Sequence, residues 1–482
     1  MKNDTPQDWQ ILMQEYDERV SLARAMGGEE KLKKREAGGQ KNARELISLL
    51  CDSFDEIGTL VGSQSYHGEK TAPADALVGG IGQVNGKSVV IAVEDFTVQG
   101  GSIGHGTNAK RVRLAQIALD HQLPFIMLLD GAGARMTNGL SRHPYGPNDL
   151  QVIAQLKGKV PTIALVVGSS AGHGAVGGLL MDLVIMLDGS SMFSAGPPLV
   201  AAALGEIVSK DELGGAHMHT TVSGVAHNLA ADAADATRLI KEYLGYFTEP
   251  SIPPSESPDT NLMSLIPANL QTPYDMRPVI QHLADDGDFL EIQPDFGKAI
   301  ITGLARLNGQ SIGIVANQPI VLAGSINADA AEKAADFIRS LDALNLPILF
   351  IADTPGIMSG SAAERAGTLR SAARMYHAQA LMTSPKLHVT LRKAFGFGSC
   401  VMAMNPFDKQ TAAYGLPGVS LGGIPVAGGA EAANLDEETA QKLAEAQNSG
   451  AWAAGDALAY DEIIDPRDLR DRLAKAMLII KR

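Results

Sequence analysis

The sequence predicts an α/β protein built from two tandem domains, residues 1–250 and 251–482. Three observations support this prediction: a repeat in constant register, an alternation of β-rich and helical segments in each half, and a segment of linker composition between the halves. The alternation is the order expected of βαβ units around a mostly parallel sheet. The linker-like segment, residues 249–273, is rich in Pro, Ser, Asp and Thr.

The repeat consists of residues in the first half that recur at a fixed distance in the second. The matched pairs, each 223 positions apart, are Gly101 and Gly324, Lys110 and Lys333, Pro124 and Pro347, Asp130 and Asp353, and Gly133 and Gly356. One inserted residue then shifts the spacing to 224, so that AGHGA, residues 171–175, matches FGFGS, residues 395–399. A chain of matches in constant register indicates a duplicated domain.

The individual elements follow from the apolar pattern. In the first half the predicted strands SVVIAV, FIMLLD and TIALVVG are separated from one another by segments such as the helical AKRVRLAQIALDHQ. In the second half the strands SIGIVA, ILFIAD and KLHVTLR and the helix DAAEKAADFIRSLDAL occupy the same places. Ligands of such sheets bind at the carboxyl ends of the strands, where both halves place their glycine-rich turns.

Composition and charge exclude several classes of function. There are 54 acidic and 40 basic residues, so the net charge of −14 disfavours nucleic acid and anionic membranes as partners. The most apolar stretch, residues 160–187, is broken by glycines and Asp182, which predicts a buried strand-turn-helix unit rather than a membrane span. The N-terminal residues lack the apolar core of a signal peptide, and Cys51 and Cys400 form no CxxC pair. We therefore predict a cytoplasmic protein.

The glycine turns are the candidate functional elements. In LLDGAGARM and LVVGSSAGHGA an apolar strand leads directly into glycines and then into a helix. Glycine allows close approach of the backbone, and the first N–H groups of a helix are unpaired donors, so such a turn can stabilise an oxyanion. A single turn of this kind is more often an ordinary connection, but two equivalent turns in two copies favour two similar anion-stabilising sites.

Other catalytic motifs are missing from the sequence. It contains no GxxxxGK[ST], GxSxG or HExxH, and no pair of acids in the glycine turns to serve as general acid and base. Asp130 and Asp353 end matched strands, where either turn capping or a role in the site is possible. The histidines of residues 211–227 lack a Cys or acidic ligand at suitable spacing, so packing is favoured over a metal site for His217, His219 and His227.

Several motifs together resemble those of the carboxyltransferase (β) subunits of biotin-dependent acyl-CoA carboxylases, of the propionyl-CoA and methylcrotonyl-CoA carboxylase type. These are GAGAR, SAGHGA, AGPPLV, DELGGAHMHTTVSGVAH, DTPGIM and RKAFGFGS. The resemblance spans nearly the whole chain. It implies two crotonase-like ββα-spiral domains, an N-terminal domain that binds acyl-CoA, a C-terminal domain that binds carboxybiotin, and a homo-oligomer, as a hexamer.

The resemblance also implies roles for individual residues. The first oxyanion hole falls on Gly172, His173 and Gly174, and the second on Phe397 and Gly398. Substrate binding is expected of Gly133, Ala134, Arg135, Lys34 and Cys400, and cofactor binding of Gly356, Ile357 and Gly396. Lys34 belongs to a basic cluster, Lys31, Lys33, Lys34, Arg35 and Lys41, which with Arg135 is the candidate for recognition of the CoA phosphates.

The implied reaction moves a carboxyl group from N-carboxybiotin to the α carbon, or the vinylogous γ carbon, of a short or branched acyl-CoA. No AMKM biotinylation motif occurs in the sequence, so biotin is expected on a partner, either a biotin carboxylase or a biotin carboxyl carrier protein, and no metal is expected. The alternatives are the carboxyltransferase subunit of an acyl-CoA decarboxylase complex and a catalytically silent scaffold of the same fold.

Three features depart from the family pattern. His173 and Phe397 stand where adjacent glycines are usual, which preserves the backbone N–H donors but narrows or polarises the pocket. Cys400, expected as a small buried hydrophobe that selects the acyl chain, is neither the acidic nor the branched residue that the family suggests. AGPPLV favours the methylcrotonyl type, whose GMCGRAY segment is missing from the second half.

Overall fold

The computed structural model describes residues 8–63, 71–140, 148–247 and 261–480. The chain divides into two compact units, Met1–Leu244 and Gly245–Arg482, which are called the N-unit and the C-unit below. The domain boundary expected at residues 250 and 251 lies outside the described residues.

The described part of the N-unit forms an eight-stranded sheet whose main path runs β1-β2-β3-β4-β5-β6-β8, with β7 paired to β5. Its strands are β1 (Ser53–Glu56), β2 (Leu77–Val84), β3 (Lys87–Glu94), β4 (Phe125–Gly131), β5 (Thr162–Ala171), β6 (Leu183–Leu187), β7 (Ser191–Phe193) and β8 (Asn228–Ala230). Its helices are α1 (Trp9–Arg24), α2 (Glu29–Ala37), α3 (Ala43–Leu50), α4 (His105–His121), α5 (Asp149–Gln155), α6 (His173–Leu179), α7 (Pro197–Leu204), α8 (Lys210–Gly214), α9 (Ala216–Thr221) and α10 (Ala233–Gly245).

The described part of the C-unit repeats this sheet in the order β16-β14-β13-β12-β11-β10-β9, with β15 paired to β13. Its strands are β9 (Phe289–Ile292), β10 (Ile300–Leu307), β11 (Gln310–Asn317), β12 (Ile348–Thr354), β13 (Lys386–Phe395), β14 (Gln410–Gly415), β15 (Ser420–Gly422) and β16 (Glu462–Ile463). Its helices are α11 (Leu262–Leu265), α12 (Arg277–Leu283), α13 (Ala328–Ala343), α14 (Ser361–Arg365), α15 (Thr368–Ala380), α16 (Gly396–Val401), α17 (Val426–Ala432), α18 (Glu437–Asn448), α19 (Gly450–Asp456) and α20 (Leu469–Ile479).

The predicted duplication is confirmed by the element bounds. Strands β2, β3 and β4 begin 223 positions before β10, β11 and β12, and β5 lies 224 positions before β13. In each unit an antiparallel hairpin is followed by parallel strands that are reached through a helix, which is the predicted βαβ order. The parallel strands are buried on both faces, so their sequences read as continuous apolar runs.

Matched buried lysines hold the start of the hairpin in both units. Lys110 Nζ donates to the carbonyl of Ala74 (3.2 Å) and also to that of Leu77, while Lys333 Nζ donates to the carbonyl of Ile300 (2.8 Å). Burial lowers the pKa of Lys110 to about 8 and that of Lys333 to about 7. The repeated lysine found in the sequence therefore has a structural reason in each copy.

The two central strands lose register at the same place in both units. The pairing of β4 with β5 shifts between Leu129 and Gly131, and that of β12 with β13 shifts between Ala352 and Thr354. These irregularities flank the matched Asp130 and Asp353, and the glycine turns follow them. Within the described residues, no helix is long and apolar enough to cross a membrane.

Candidate active site

The first candidate turn, residues 171–175, is called the N-turn. Strand β5 ends at Ala171, Gly172 takes a backbone conformation (φ 53°, ψ −118°) that favours glycine, and α6 begins at His173. The Gly172 N–H donates to the carbonyl of Phe193 (3.0 Å), and the first hydrogen bond within the helix runs from Val176 N–H to the Gly172 carbonyl. The N–H groups of the intervening residues therefore lie ahead of the helical hydrogen-bond ladder.

The Gly133 turn packs directly against the N-turn. Gly133 has φ 82°, and a Cβ placed on it would lie 2.6 Å from the carbonyl oxygen of Ala171 and 3.7 Å from the His173 nitrogen. The Gly133 carbonyl accepts the Ile103 N–H (2.8 Å), and the Ile103 carbonyl accepts the Arg135 N–H (3.0 Å). The structure thus brings the predicted residues 133–135 and 172–174 together.

The C-turn, residues 395–399, repeats this arrangement. Gly396 has φ 53°, the value found at Gly172, and Gly356 has φ 126°. A Cβ on Gly398 would lie 2.7 Å from the Gly356 Cα, so only glycine allows the two backbones to approach. The Gly356 carbonyl accepts the Ile326 N–H (3.1 Å), which places the predicted Ile357 beside this contact.

The side chains at the matched turn positions differ in character. Phe397 is exposed at its edge, and its ring centroid lies 5.3 Å from that of Tyr376. His173 instead forms a hydrogen bond between its Nε2 atom and Asp149 Oδ1, at 2.6 Å. The C-turn therefore presents an aromatic surface, whereas the N-turn presents an ionisable one.

Behind His173 lies a chain of buried charges. Asp149 Oδ2 accepts from Arg111 Nε at 2.6 Å, and Glu94 Oε1 accepts from Arg111 Nη1 at 3.0 Å. Glu94 Oε2 in turn accepts the Asp130 N–H at 2.9 Å. Burial raises the pKa of Glu94 to about 7, although Arg111 opposes the shift. Burial acts to raise the pKa of Asp149 as well. The hydrogen bonds and charges of His173 and Arg111 outweigh it, so the pKa of Asp149 is lowered.

The matched aspartates lie in buried ion pairs rather than in simple turn caps. Asp130 Oδ2 is 2.5 Å from Arg35 Nη2, and Asp130 Oδ1 accepts the Ser169 N–H at 3.2 Å. Asp353 Oδ2 accepts from Arg392 Nε at 2.7 Å and from the Tyr274 hydroxyl at 2.9 Å. Each aspartate fixes the end of a strand from which a glycine turn starts.

The predicted phosphate-binding cations are placed differently from one another. Arg135 donates to Asp75 Oδ1 (2.7 Å) and to the Ser102 carbonyl (2.9 Å), so its guanidinium already has partners within the N-unit. Arg35 is committed to Asp130. Lys34 is exposed on α2, as are Lys31, Lys33 and Lys41.

The expected burial of Cys400 is wrong. Its residue is exposed, whereas Gly398 is buried. Both residues belong to α16, where an advance of two residues turns the side chain by about 200°, to the opposite face of the helix. The alternative of a core cysteine that only packs is therefore wrong as well, and its role in substrate selection stays a prediction.

The three histidines of residues 211–227 have packing partners. His219 Nε2 bonds with the Met192 carbonyl (2.7 Å), His227 Nδ1 accepts the Val184 N–H (2.9 Å), and His217 Nε2 lies 3.1 Å from Asp188 Oδ1. In the part of the chain that the structure describes, no group of three or more His, Cys, Asp or Glu is arranged to hold a metal ion.

Sequence reasoning missed Glu94, Arg111 and Asp149. The repeat contained a signal for two of them. The residues 223 positions after Glu94 and Arg111 are Asn317 and Ala334, so the charges are not repeated. A charged residue in a buried strand or helix that its duplicate lacks indicates a local function of one copy.

The profile of the carboxyl transferase domain family matches residues 34–481. The chain is 34% identical to the methylmalonyl-CoA carboxyltransferase 12S subunit of Propionibacterium freudenreichii subsp. shermanii, over 96% of this chain and 93% of that protein. It is 33% identical to the propionyl-CoA carboxylase beta chain of Roseobacter denitrificans (98% and 96% covered) and 34% identical to the methylmalonyl-CoA decarboxylase subunit alpha of Veillonella parvula (96% and 95%).

A crystal structure of the transcarboxylase 12S hexamer with hydrolysed methylmalonyl-CoA bound is similar over 99% of this chain and 97% of that one, with a TM-score of 0.92 and 32% identity. A single-chain, multi-domain long-chain acyl-CoA carboxylase is similar over 96% of this chain and 48% of that one, with a TM-score of 0.86 and 27% identity. These similarities confirm the predicted fold of two tandem crotonase-like α/β domains.

Proposed function

Because the chain belongs to the carboxyl transferase domain family, we propose that it is the carboxyltransferase subunit of a biotin-dependent acyl-CoA carboxylase. In this proposal it moves a carboxyl group from N-carboxybiotin, carried by a separate protein, to the α or vinylogous γ carbon of a short or branched acyl-CoA. The observation that carries the proposal is the pair of matched turns, each a positive-φ glycine after a buried strand and each packed against a second glycine turn.

The chain's own contribution to the reaction is electrostatic and geometric. Negative charge develops on the thioester oxygen when the α carbon loses its proton, and the ureido oxygen of biotin is the second group that would need hydrogen-bond donors. Biotin, when bound, supplies the carboxyl group and the base. Backbone N–H groups of the N-turn donate to the thioester oxygen and those of the C-turn to the ureido oxygen, and the loss of one such donor costs about 10²–10³-fold in kcat.

We infer that the C-turn holds the biotin ring. The close approach of Gly398 to Gly356 fixes the backbone of this turn, and the exposed Phe397 ring offers an apolar surface on it. The proposed binding residues are Gly356, Ile357, Gly396, Phe397 and Gly398. On the acyl-CoA side they are Gly133, Ala134, Arg135, Gly172, His173, Gly174, Cys400 and Lys34.

The partners follow from the same proposal. A biotin carboxylase and a biotin carboxyl carrier protein supply carboxybiotin, and the chain assembles as a homo-oligomer, since the transcarboxylase 12S relative is a hexamer. We propose a cytoplasmic location, based on cysteine usage. The chain itself is expected to give no biotin signal on a streptavidin blot.

The test is a carboxyl-transfer assay with the purified oligomer, a carboxybiotinylated carrier protein and a panel of acetyl-, propionyl- and branched acyl-CoAs. We expect a carboxylated product with at least one of them. Absence of transfer with the whole panel, together with binding of the acyl-CoAs, would contradict the proposal and favour the scaffold alternative.

Decarboxylation is the second candidate function, because the methylmalonyl-CoA decarboxylase subunit of Veillonella parvula is as similar as the carboxylase relatives. The same site serves both directions. A neighbouring gene for a membrane subunit with many spans favours decarboxylation, and one for a biotin carboxylase favours carboxylation.

A further inference from the structure

The N-turn carries a network of ionisable side chains that the matched positions of the C-unit lack. The network consists of His173, Asp149, Arg111 and Glu94, joined by the hydrogen bonds described above. At the matched positions, 223 positions after Glu94 and Arg111 and 224 after His173, the C-unit has Asn317, Ala334 and Phe397. Since the two copies share their backbone, the network is an addition to one copy that the fold does not require.

The buried members of this network are held firmly. Arg111 and Asp149 have no exposed surface, and Glu94 is almost fully buried. Arg111 spans both carboxylates, and its Nη2 has no hydrogen-bond partner among the described residues. A buried arginine with two acids has a high cost of desolvation, so a hydrophobic core would have been a simpler solution for stability alone.

The imidazole is the one member that reaches the surface, with 31% of its side chain exposed. Side chains of a helix tilt towards its N-terminus, and His173 is the first residue of α6, so its ring lies at the same end as the N–H groups of the N-turn. The neighbouring Ser170 hydroxyl is buried without a hydrogen-bond partner in the described chain, 3.5 Å from where a Cβ on Gly174 would lie. A polar side chain beside the N-turn is thus left without a partner in the described chain.

We propose that His173 is a catalytic residue of the acyl-CoA site, whose imidazolium places a positive charge beside the oxygen of the bound thioester. This inference rests on the proposed function. Asp149 takes the Nε2–H, which leaves Nδ1 for the ligand, and only the protonated ring offers a donor there to an oxygen that gains negative charge.

The ionised acids of this network outnumber its bases. The charged groups joined to His173 through the network are Asp149 on α5, Arg111 on α4, and Glu94 and Asp130 at the ends of β3 and β4. Asp130 is neutralised by Arg35, so the remaining two acids, when ionised, exceed the one arginine by one negative charge. A positively charged His173 ring completes this balance.

The experiment compares the wild-type oligomer with His173→Gln, which keeps a donor for Asp149 but carries no charge, and with Glu94→Gln. His217→Gln is the matched control, because His217 also contacts an aspartate but lies on the surface, with 69% of its side chain exposed. Carboxyl transfer to the best acyl-CoA is measured as kcat and KM from pH 5.5 to 9, with circular dichroism to verify folding.

We expect His173→Gln to lower kcat by about 10- to 100-fold, the value of a charge-assisted hydrogen bond, with little change in KM. Wild-type kcat should fall as pH rises, because the donor at Nδ1 is lost when the ring loses its proton. This fall should be missing in His173→Gln and displaced to lower pH in Glu94→Gln, while His217→Gln behaves as wild type. An unchanged kcat and pH profile in His173→Gln would overturn the inference alone, whereas a wild type without transfer would overturn the proposed function with it.

Discussion

The N-unit and the C-unit neutralise their matched buried aspartates, Asp130 and Asp353, in different ways. Asp353 is paired with Arg392 from the adjacent strand β13, whose guanidinium also donates to the carbonyls of Pro267, Asn269 and Thr272. In the N-unit the residue matched to Arg392 is Gly168, and a Cβ there would lie 2.1 Å from the Asp130 carboxylate.

The N-unit therefore uses Arg35 from helix α2 to neutralise Asp130. The comparison teaches that the backbone of a duplicated domain is preserved by its apolar strands and glycines, whereas charges can be supplied from wherever the chain reaches. The two turns also differ in side-chain chemistry, since His173 at the N-turn is ionisable and Phe397 at the C-turn is aromatic.

The difference between the two ion pairs can be tested by measuring the free energy of unfolding. Arg392→Ala leaves the buried Asp353 with only the Tyr274 hydroxyl and the more distant Lys393 as partners, so it should lower the free energy of unfolding by about 3 kcal/mol. Arg35→Ala should cost less, because the Arg35 side chain is more exposed and water can reach Asp130 after its removal. Urea unfolding followed by circular dichroism measures both; equal losses would contradict this difference.

Glycine substitutions test whether the two turns tolerate a side chain equally. Gly398→Ala places its Cβ against the Gly356 backbone and should lower kcat by about 10²–10³-fold. Gly174→Ala meets only side-chain atoms, the Glu94 carboxylate at 3.2 Å and the Ser170 hydroxyl at 3.5 Å, and should be less damaging because side chains can move. Carboxyl-transfer kinetics of the two folded variants give the answer, and a larger loss at Gly174 would reverse the comparison.

The pH dependence of stability should differ between the units because Glu94 corresponds to Asn317. The folded N-unit holds the Glu94 proton up to a pKa of about 7, whereas the unfolded chain releases it near the usual value of 4.5. The folded state thus binds more protons in this window, and stability falls as pH rises through it, by on the order of 3 kcal/mol. Glu94→Gln should remove this slope in urea unfolding measured from pH 4.5 to 7.5; a slope that persists would assign it to other groups.

Substrate choice is predicted to respond to Cys400. Replacing it by Asp or Ile should change the ratio of kcat/KM among acetyl-, propionyl- and branched acyl-CoAs by about 10- to 200-fold. Since Cys400 is exposed, neither variant should lose stability. An unaltered ratio would end its role as a selector.

The smallest effect is expected at Lys34. Lys34→Glu should raise the KM for acyl-CoA by about two- to fivefold, less at high salt, because an exposed charge contributes at most about 1 kcal/mol. Lys442→Glu, on the exposed helix α18, is the control with the same charge change. Equal KM values for the two variants would remove Lys34 from phosphate recognition.

Sequence alone predicted the fold because strands and turns depend on local pattern. The apolar runs and glycines that repeat after 223 or 224 positions coincide with β2 to β5 and β10 to β13. The partners of Asp130 and Asp353 could not be predicted, since Arg35 and Arg392 are brought to them by tertiary packing. The exposure of Cys400 depends on the phase of a short helix, which residue spacing from Gly398 alone did not give.

The most direct test of the account separates the two turns by partial reaction. Breakdown of carboxybiotin on its carrier, without acyl-CoA, should require only the C-turn, whereas carboxyl transfer requires both turns. We predict that Gly398→Ala lowers both rates and that His173→Gln lowers transfer while it leaves carboxybiotin breakdown near the wild-type rate. An equal loss of both reactions in His173→Gln, or unimpaired breakdown in Gly398→Ala, would contradict the division of the site between the two copies.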